Sequence, residues 1–256
     1  MFTKFHIEHR IGYLTLDRVD KKNALNFEFV NEIKSVLQNA IADTNCKVIV
    51  LKSSSDVFCA GADLSYLEQL QQNTYEQNLA DSTNLAELFQ LIYNCPKIII
   101  AQVEGHAIAG GCGLASICDF SFTVPHAKFA YTEVKIGFIP AIVMVYLIRK
   151  IGEGKARELL LSGKLISAHE AKDFGLINYI MPAEEIADTV KQFAITLCNE
   201  TAAQSTATVK EMLAQIHNLS VSDAVTYAAQ MNAKARSTDD CKRGIRAFLN
   251  KEKIVW

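Results

Sequence analysis

Hydrophobic positions along this chain follow two periods, and the first half switches repeatedly between them. Residues 5–17, FHIEHRIGYLTLD, alternate around a glycine and predict a hairpin of two strands. The period then becomes helical: Phe29, Val30, Ile33, Val36, Leu37, Ala40 and Ile41 share one face, and Asn26 stands where a helix over 27–42 takes its N-cap. Two continuous apolar runs, 47-KVIVLKS-53 and 97-KIIIAQVEG-105, predict buried strands, with a helix between them at about 83–94. The polar stretch 68-EQLQQNTYEQN-78 has no apolar face and predicts a mobile segment. Further on, 119–124 alternates as a strand, 129–137 reads as a strand and turn, and Pro140 precedes a helix at about 142–151. Two more helices, 153–163 and 167–175, each end on glycine, and Ser167 with Glu170 forms a capping-box pattern. From Ala183 onward the pattern is helical, with no proline and a single glycine, Gly244.

This order predicts an α/β core with a helical tail, and no linker-like composition separates the two. Composition narrows the function more by exclusion. Twenty-six basic and 28 acidic residues leave a net charge of −2, which offers nucleic acid or an anionic membrane no electrostatic footing. Seven scattered cysteines without a C-x-x-C pair predict buried thiols rather than a disulfide framework or a metal site. The longest apolar runs, such as 139–148, are about half of the ~20 residues a membrane helix needs. The first residues show no leader-like apolar region, so the expected location is the cytoplasm.

Candidate chemistry lies in two corners of one design: buried strand, small residues, helix. They are 47-KVIVLKSSSDVFCAGADL-64 and 97-KIIIAQVEGHAIAGGCGL-114. Small residues let a ligand approach the backbone, and the first N–H groups of a helix lack partners. Two such corners side by side could aim two N–H groups at one oxygen, as suits a reaction that builds charge on a carbonyl. Neither G-x-x-x-x-G-K-[ST] nor G-x-G-x-x-G is present, so a nucleotide site by motif is excluded.

The segments 58-FCAGADL-64 and 105-GHAIAGGCGLASICD-119 resemble the enoyl-CoA hydratase/isomerase (crotonase) superfamily, whose patterns are F-x-A-G-A-D-[LI] and G-x-A-x-G-G-G-x-x-L-x-x-x-C-D. The resemblance extends over 21-KKNAL-25, 129-FAYTEVKIGFIP-140, 151–180 and 244-GIRAFLNKEK-253, essentially the whole chain. It implies a spiral of strand–strand–helix units over 1–195 and a C-terminal helical trimerisation region over 196–256. It implies an acyl-CoA thioester substrate, no tightly bound cofactor, no metal, and a homotrimer or homohexamer. By the same resemblance the backbone N–H groups of Ala62 and Gly110 form the oxyanion hole. Lys22, Ala24 and Leu25 lie along the pantetheine arm, and Ala60, Asp63 and Leu64 lie near the adenine end. Phe248 and Lys251 close over CoA from the same or a neighbouring subunit.

Hydratases of this type use two glutamates. The second falls on Glu133, while the first falls on Gly113, so this chain keeps one carboxylate and lacks the other. The resemblance therefore implies hydration of a 2-enoyl-CoA with Glu133 as sole acid/base. The alternatives are Δ3–Δ2 isomerisation by Glu133 as proton shuttle, and a non-catalytic CoA-thioester-binding oligomer. Gly113 together with 140-PAIV-143 resembles the methylglutaconyl-CoA hydratase branch, whose substrates are branched and carry a distal carboxylate. Lys135 and Arg149 are candidates to meet such a carboxylate, against a simpler role as surface charges. Ile136, Phe138 and Ile139 suggest an apolar setting that would raise the Glu133 pKa. Cys112 and Cys118 are read as packing residues, His106 as a strand-end histidine with a local hydrogen bond, and Asp119 as a cap or turn residue.

Overall fold

In the computed structural model, which describes residues 1–256, β1 (Thr3–Glu8) and β2 (Ile11–Leu16) form the expected antiparallel hairpin. Its turn is at His9 and Arg10, both at positive φ, and not at the glycine. Gly12 lies inside β2, where a Cβ would meet Cys46 Sγ at 2.8 Å. Helix α1 (Phe27–Ala42) follows, with the Asn26 side chain accepting from the Phe29 N–H.

A unit of two strands and helix then recurs. β3 (Val48–Ser53) and β4 (Val57–Cys59) lead to α2 (Leu64–Leu70) and α3 (Tyr75–Tyr93). β5 (Ile98–Val103) and β6 (His106–Ile108) lead to α4 (Gly110–Ile117). β7 (Phe120–Thr123) and β8 (Lys128–Ala130) lead through a 3-10 turn, Glu133–Ile136, to α5 (Ala141–Ser162). Then come β9 (Ile166–Ser167), α6 (Ala168–Asp173), β10 (Tyr179–Ile180) and four helices: α7 (Ile186–Glu200), α8 (Ala203–Ile216), α9 (Val221–Arg236) and α10 (Asp239–Asn250).

Within each unit the first strand joins a six-stranded sheet of order β1-β2-β3-β5-β7-β10, and the second joins a four-stranded sheet of order β4-β6-β8-β9. All pairings are parallel except β1 with β2 and β8 with β9. The apolar runs of β3 and β5 are buried, as strands covered on both faces of a parallel sheet must be. Helix α7 lies across β2, β3, β5 and β7 and buries Ile186, Val190, Ala194 and Cys198. It also runs through residue 195, where the core was expected to give way to the tail.

Several expectations are corrected. The segment 68–78 is not a mobile stretch but the end of α2 and the start of α3, which begins eight residues before position 83. Capping rather than periodicity marks these boundaries: Asp63 caps α2, and Thr74 with Gln77 forms a capping box on α3. Strands β4 and β6 lie inside the corners, each three residues long, too short to leave a periodic signature. The helices expected at 142–151 and 153–163 meet at Gly152, whose φ of 76° and ψ of 160° break the helix between them. The Ser167–Glu170 capping box is present.

Candidate active site

The first corner is built by two stretches laid side by side. Lys22 and Asn23, at φ of 51° and 54°, turn the chain sharply so that residues 22–25 run along 60–63. Ala60 N–H donates to Lys22 O (3.0 Å), Leu25 N–H to Gly61 O (2.6 Å) and Asp63 N–H to Leu25 O (2.9 Å). Leu25 and Ala62 bridge in parallel. These bonds bring Lys22, Ala24 and Leu25 beside Ala60, Ala62 and Asp63. The fully buried Asn23 amide donates to Phe58 O and Ser53 Oγ, and its oxygen accepts from Arg18 N–H. Arg18 in turn donates to Ala24 O and pairs with Asp63 at 2.8 Å. Burial opposes ionisation of Asp63, yet bonds from Ser65 and Arg18 and the Arg18 charge pull its pKa down to about 2. The Asp63 carboxylate is thus engaged within the chain. Leu64, one residue on, is 66 % exposed.

The second corner abuts the first. A methyl placed on Gly61 would lie 2.7 Å from Ala109 Cβ and 3.6 Å from Gly110 N. Neither Ala62 N–H nor Gly110 N–H has an acceptor in the chain, so adjoining corners present two unpaired donors. The glycines differ in purpose. At Gly111 a Cβ would fall 2.3 Å from Cys59 O, so its hydrogen is what lets α4 sit against β4. At Gly110 a Cβ meets only Leu25 Cδ1, at 3.2 Å.

Glu133 stands three residues beyond the end of β8, which pairs with β6 and whose last carbonyl, Ala130 O, accepts from Ala109 N–H. Its Oε2 is buried without any partner, a state shared only with Asn78 Oδ1 on α3. Burial raises the Glu133 pKa. Ile136, Phe138 and Ile139, expected to supply an apolar setting, are instead exposed. Gly113 is buried, and the room a side chain would need there is taken: a Cβ would lie 2.4 Å from Val143 Cγ1 and 2.9 Å from Phe89 Cε1.

Two unpaired backbone donors at adjoining helix-start corners, with a carboxyl whose Oε2 is buried and unpartnered in the 3-10 turn that follows β8, suit proton transfer next to a carbonyl. The enoyl-CoA hydratase/isomerase family profile matches residues 6–256. The chain belongs to this family. Among its relatives, a Thermus thermophilus protein that carries the enoyl-CoA hydratase name provisionally is 38 % identical over 241 residues, covering 94 % of this chain and 95 % of that one. The 2,3-dehydroadipyl-CoA hydratase of Escherichia coli is 30 % identical over 250 residues, covering 95 % and 94 %. The crystal structure of an enoyl-CoA hydratase from Shewanella pealeana superposes with a TM-score of 0.93 at 28 % identity, covering 100 % of this chain and 96 % of that one. The family's substrates are CoA thioesters.

The remaining candidates of this hydratase/isomerase-family enzyme differ in their surroundings. Burial pushes the Cys112 and Cys118 thiols up to about 12, which leaves them protonated and inert as nucleophiles. His106 is exposed and accepts from Lys128 N–H. Asp119 accepts from Ile99 N–H and pairs with Lys210 at 2.6 Å. Arg149 donates to Val145 O on its own helix and Lys135 is exposed. No hydrogen bond joins Phe248 or Lys251 to the corners; α10 packs on α9, and Phe248 is 83 % exposed. No helix is long and apolar enough to cross a membrane.

Sequence reasoning missed what Arg18, Asn23, Phe89 and Val143 do, although Asn23 lies in 21-KKNAL-25 and Val143 ends 140-PAIV-143. The first two sit in the aperiodic 17-DRVDKKN-23, where only the buried turn gives them meaning. The other two lie on ordinary helical apolar faces, and only their approach to Gly113 sets them apart.

Proposed function

We propose that this enzyme hydrates and dehydrates a 2-enoyl-CoA, with Ala62 N–H and Gly110 N–H holding the thioester oxygen and Glu133 as the only side-chain acid/base. The reading is supported by the buried, unpartnered Glu133 Oε2, which stands three residues beyond the Ala130 carbonyl that bonds Ala109, together with two unpaired backbone donors. Glu133 takes a proton from water as the water oxygen bonds to C3. The C2=C3 electrons move onto the thioester oxygen as an enolate, and Glu133 returns the proton to C2. The two donors stabilise the enolate charge, and losing one such donor costs about 3–4 kcal/mol of barrier in other enzymes. The CoA arm runs along Lys22, Ala24 and Leu25 towards Ala60, Asp63 and Leu64, contacting mostly backbone because Asp63 is occupied by Arg18. A branched acyl group with a distal carboxylate, 3-methylglutaconyl-CoA-like, is the preferred substrate, and the Escherichia coli relative is likewise named for an acyl group with a distal carboxylate.

One observation favours a second reading. Phe89 and Val143 put an apolar wall where a second carboxylate would help hold water. A dry wall suits Δ3–Δ2 isomerisation, in which Glu133 moves one proton between C4 and C2 and no water is needed. Absorbance assays on crotonyl-, 3-methylglutaconyl- and 3-hexenoyl-CoA separate the readings. Turnover of only the last overturns hydration, and full activity of Glu133→Gln overturns both.

For the tail we propose oligomerisation as a homotrimer or homohexamer, with Phe248 and Lys251 supplied to a neighbouring subunit's CoA site. In support, α8 and α9 bury no residue within the chain, while Val209, Leu213, Val221 and Val225 are all more than half exposed.

A further inference from the structure

We propose that Ala109 is a positioning residue, whose strained backbone and methyl group set the direction and spacing of the two oxyanion donors. The inference rests on the proposed oxyanion site and concerns what holds it in shape. Ala109 lies at φ 52° and ψ −124°, a conformation that costs little to glycine but strains any residue with a Cβ. The pattern G-x-A-x-G-G-G quoted above has its first consecutive glycine at this position, and this chain departs from it. Such strain persists only where surrounding contacts over-determine it.

Three contacts do so. Ala109 N–H donates to Ala130 O at 2.7 Å, tying the residue to the strand that leads to Glu133. Ala109 O accepts from Gly113 N–H at 3.1 Å, within the first turn of α4. In a planar trans peptide the C=O and the following N–H point in opposite directions. With Ala109 O turned into α4, Gly110 N–H is turned out of it, free of any acceptor in the chain. The Ala109 methyl is the third contact. It is buried against Gly61, so close that a Cβ on Gly61 would overlap it at 2.7 Å. Gly61 is joined by one peptide to Ala62, the other donor. The methyl is therefore a spacer between the two corners.

The test compares wild type with Ala109→Gly and Ala109→Ser, using bound acetoacetyl-CoA as probe. Its enolate has its own ultraviolet band, which reports stabilisation of oxyanion charge without turnover. Ala109→Gly should melt at a higher temperature, because the strain is relieved. It should lose roughly ten- to a hundredfold in kcat, as small misplacements of catalytic groups do, at nearly unchanged KM. Its enolate band should shrink in parallel. Ala109→Ser keeps the Cβ and should restore most of the band. If Ala109→Gly leaves kcat and band intact, or melts lower, the positioning role is overturned while the oxyanion site stands. If wild type itself gives no enolate band, the oxyanion reading fails first.

Discussion

At Gly113 the missing side chain is a filled space and not a vacancy. Phe89 and Val143 occupy what a Cβ would need, so Gly113→Glu should not rebuild a two-carboxylate site. It should destabilise the fold by about 3 kcal/mol or more, through overpacking and a buried unpaired charge. Chemical denaturation of Gly113→Glu alone and combined with Phe89→Ala checks this, and the double variant should recover part of the loss. Glu133 makes a pH prediction. Its folded pKa is raised above the ordinary 4.5, so the folded chain holds this proton more tightly than the unfolded one. Its contribution is therefore favourable at low pH and is lost as pH rises through the folded value. Glu133→Gln should melt higher than wild type at pH 7, with the gap closing below about pH 4, and should lose ~10²-fold or more in kcat. Thermal melts across pH and steady-state rates read both effects. At this scale the sequence singled out Glu133 and the small-residue corners because they fall on a pattern, and the structure shows an unpartnered Glu133 Oε2 and two closely abutting corners there. It was silent where a role depends on distant packing: nothing in sequence announces Phe89, and 140-PAIV-143 gives no sign that Val143 fills the space beside Gly113.

Among elements, the turn at 18–25 and the N-terminus of α2 are held as one piece by the Arg18–Asp63 pair, each side chain less than a tenth exposed. Removing one partner leaves the other charge buried, which costs about 3–5 kcal/mol. Arg18→Gln should therefore lower stability by that order and raise KM for CoA substrates, as residues 22–25 loosen from 60–63. Because the Asp63 pKa is depressed from 3.8 to about 2, its contribution is present above pH 3.8 and fades as pH falls towards 2. Arg18→Gln should lose much of that part of wild type's acid sensitivity, a difference that acid titration followed by circular dichroism detects. Long elements were legible because their apolar faces repeat, as in α1. Strands β4, β6, β9 and β10, helix α2 and the first turns of α3 were not, since two or three residues carry no period and a polar helix need not show a clean apolar stripe.

The whole molecule couples two sheets through the recurring unit, and α7 covers the larger one while α8 and α9 bury nothing of their own. Lys210 on α8 reaches back to Asp119 and Lys97 O, which fixes where the tail leaves the core. Leu213→Glu, placed on the exposed apolar face of α8, should leave the monomer fold intact by circular dichroism while shifting the sedimentation profile to smaller species. The order of units could be read from the sequence, because each begins with an apolar run. The division of strands between two sheets could not, because sheet membership depends on long-range pairing.

The donors assigned to the substrate oxygen, finally, are main-chain groups. A point mutation can delete a carboxyl or an imidazole, but it cannot delete the amide at Ala62 or Gly110 short of introducing proline. Heritable change at this site is thereby channelled. Substitution of a side chain such as Glu133 would redirect the proposed reaction, while the two amides themselves pass unchanged from one variant to the next.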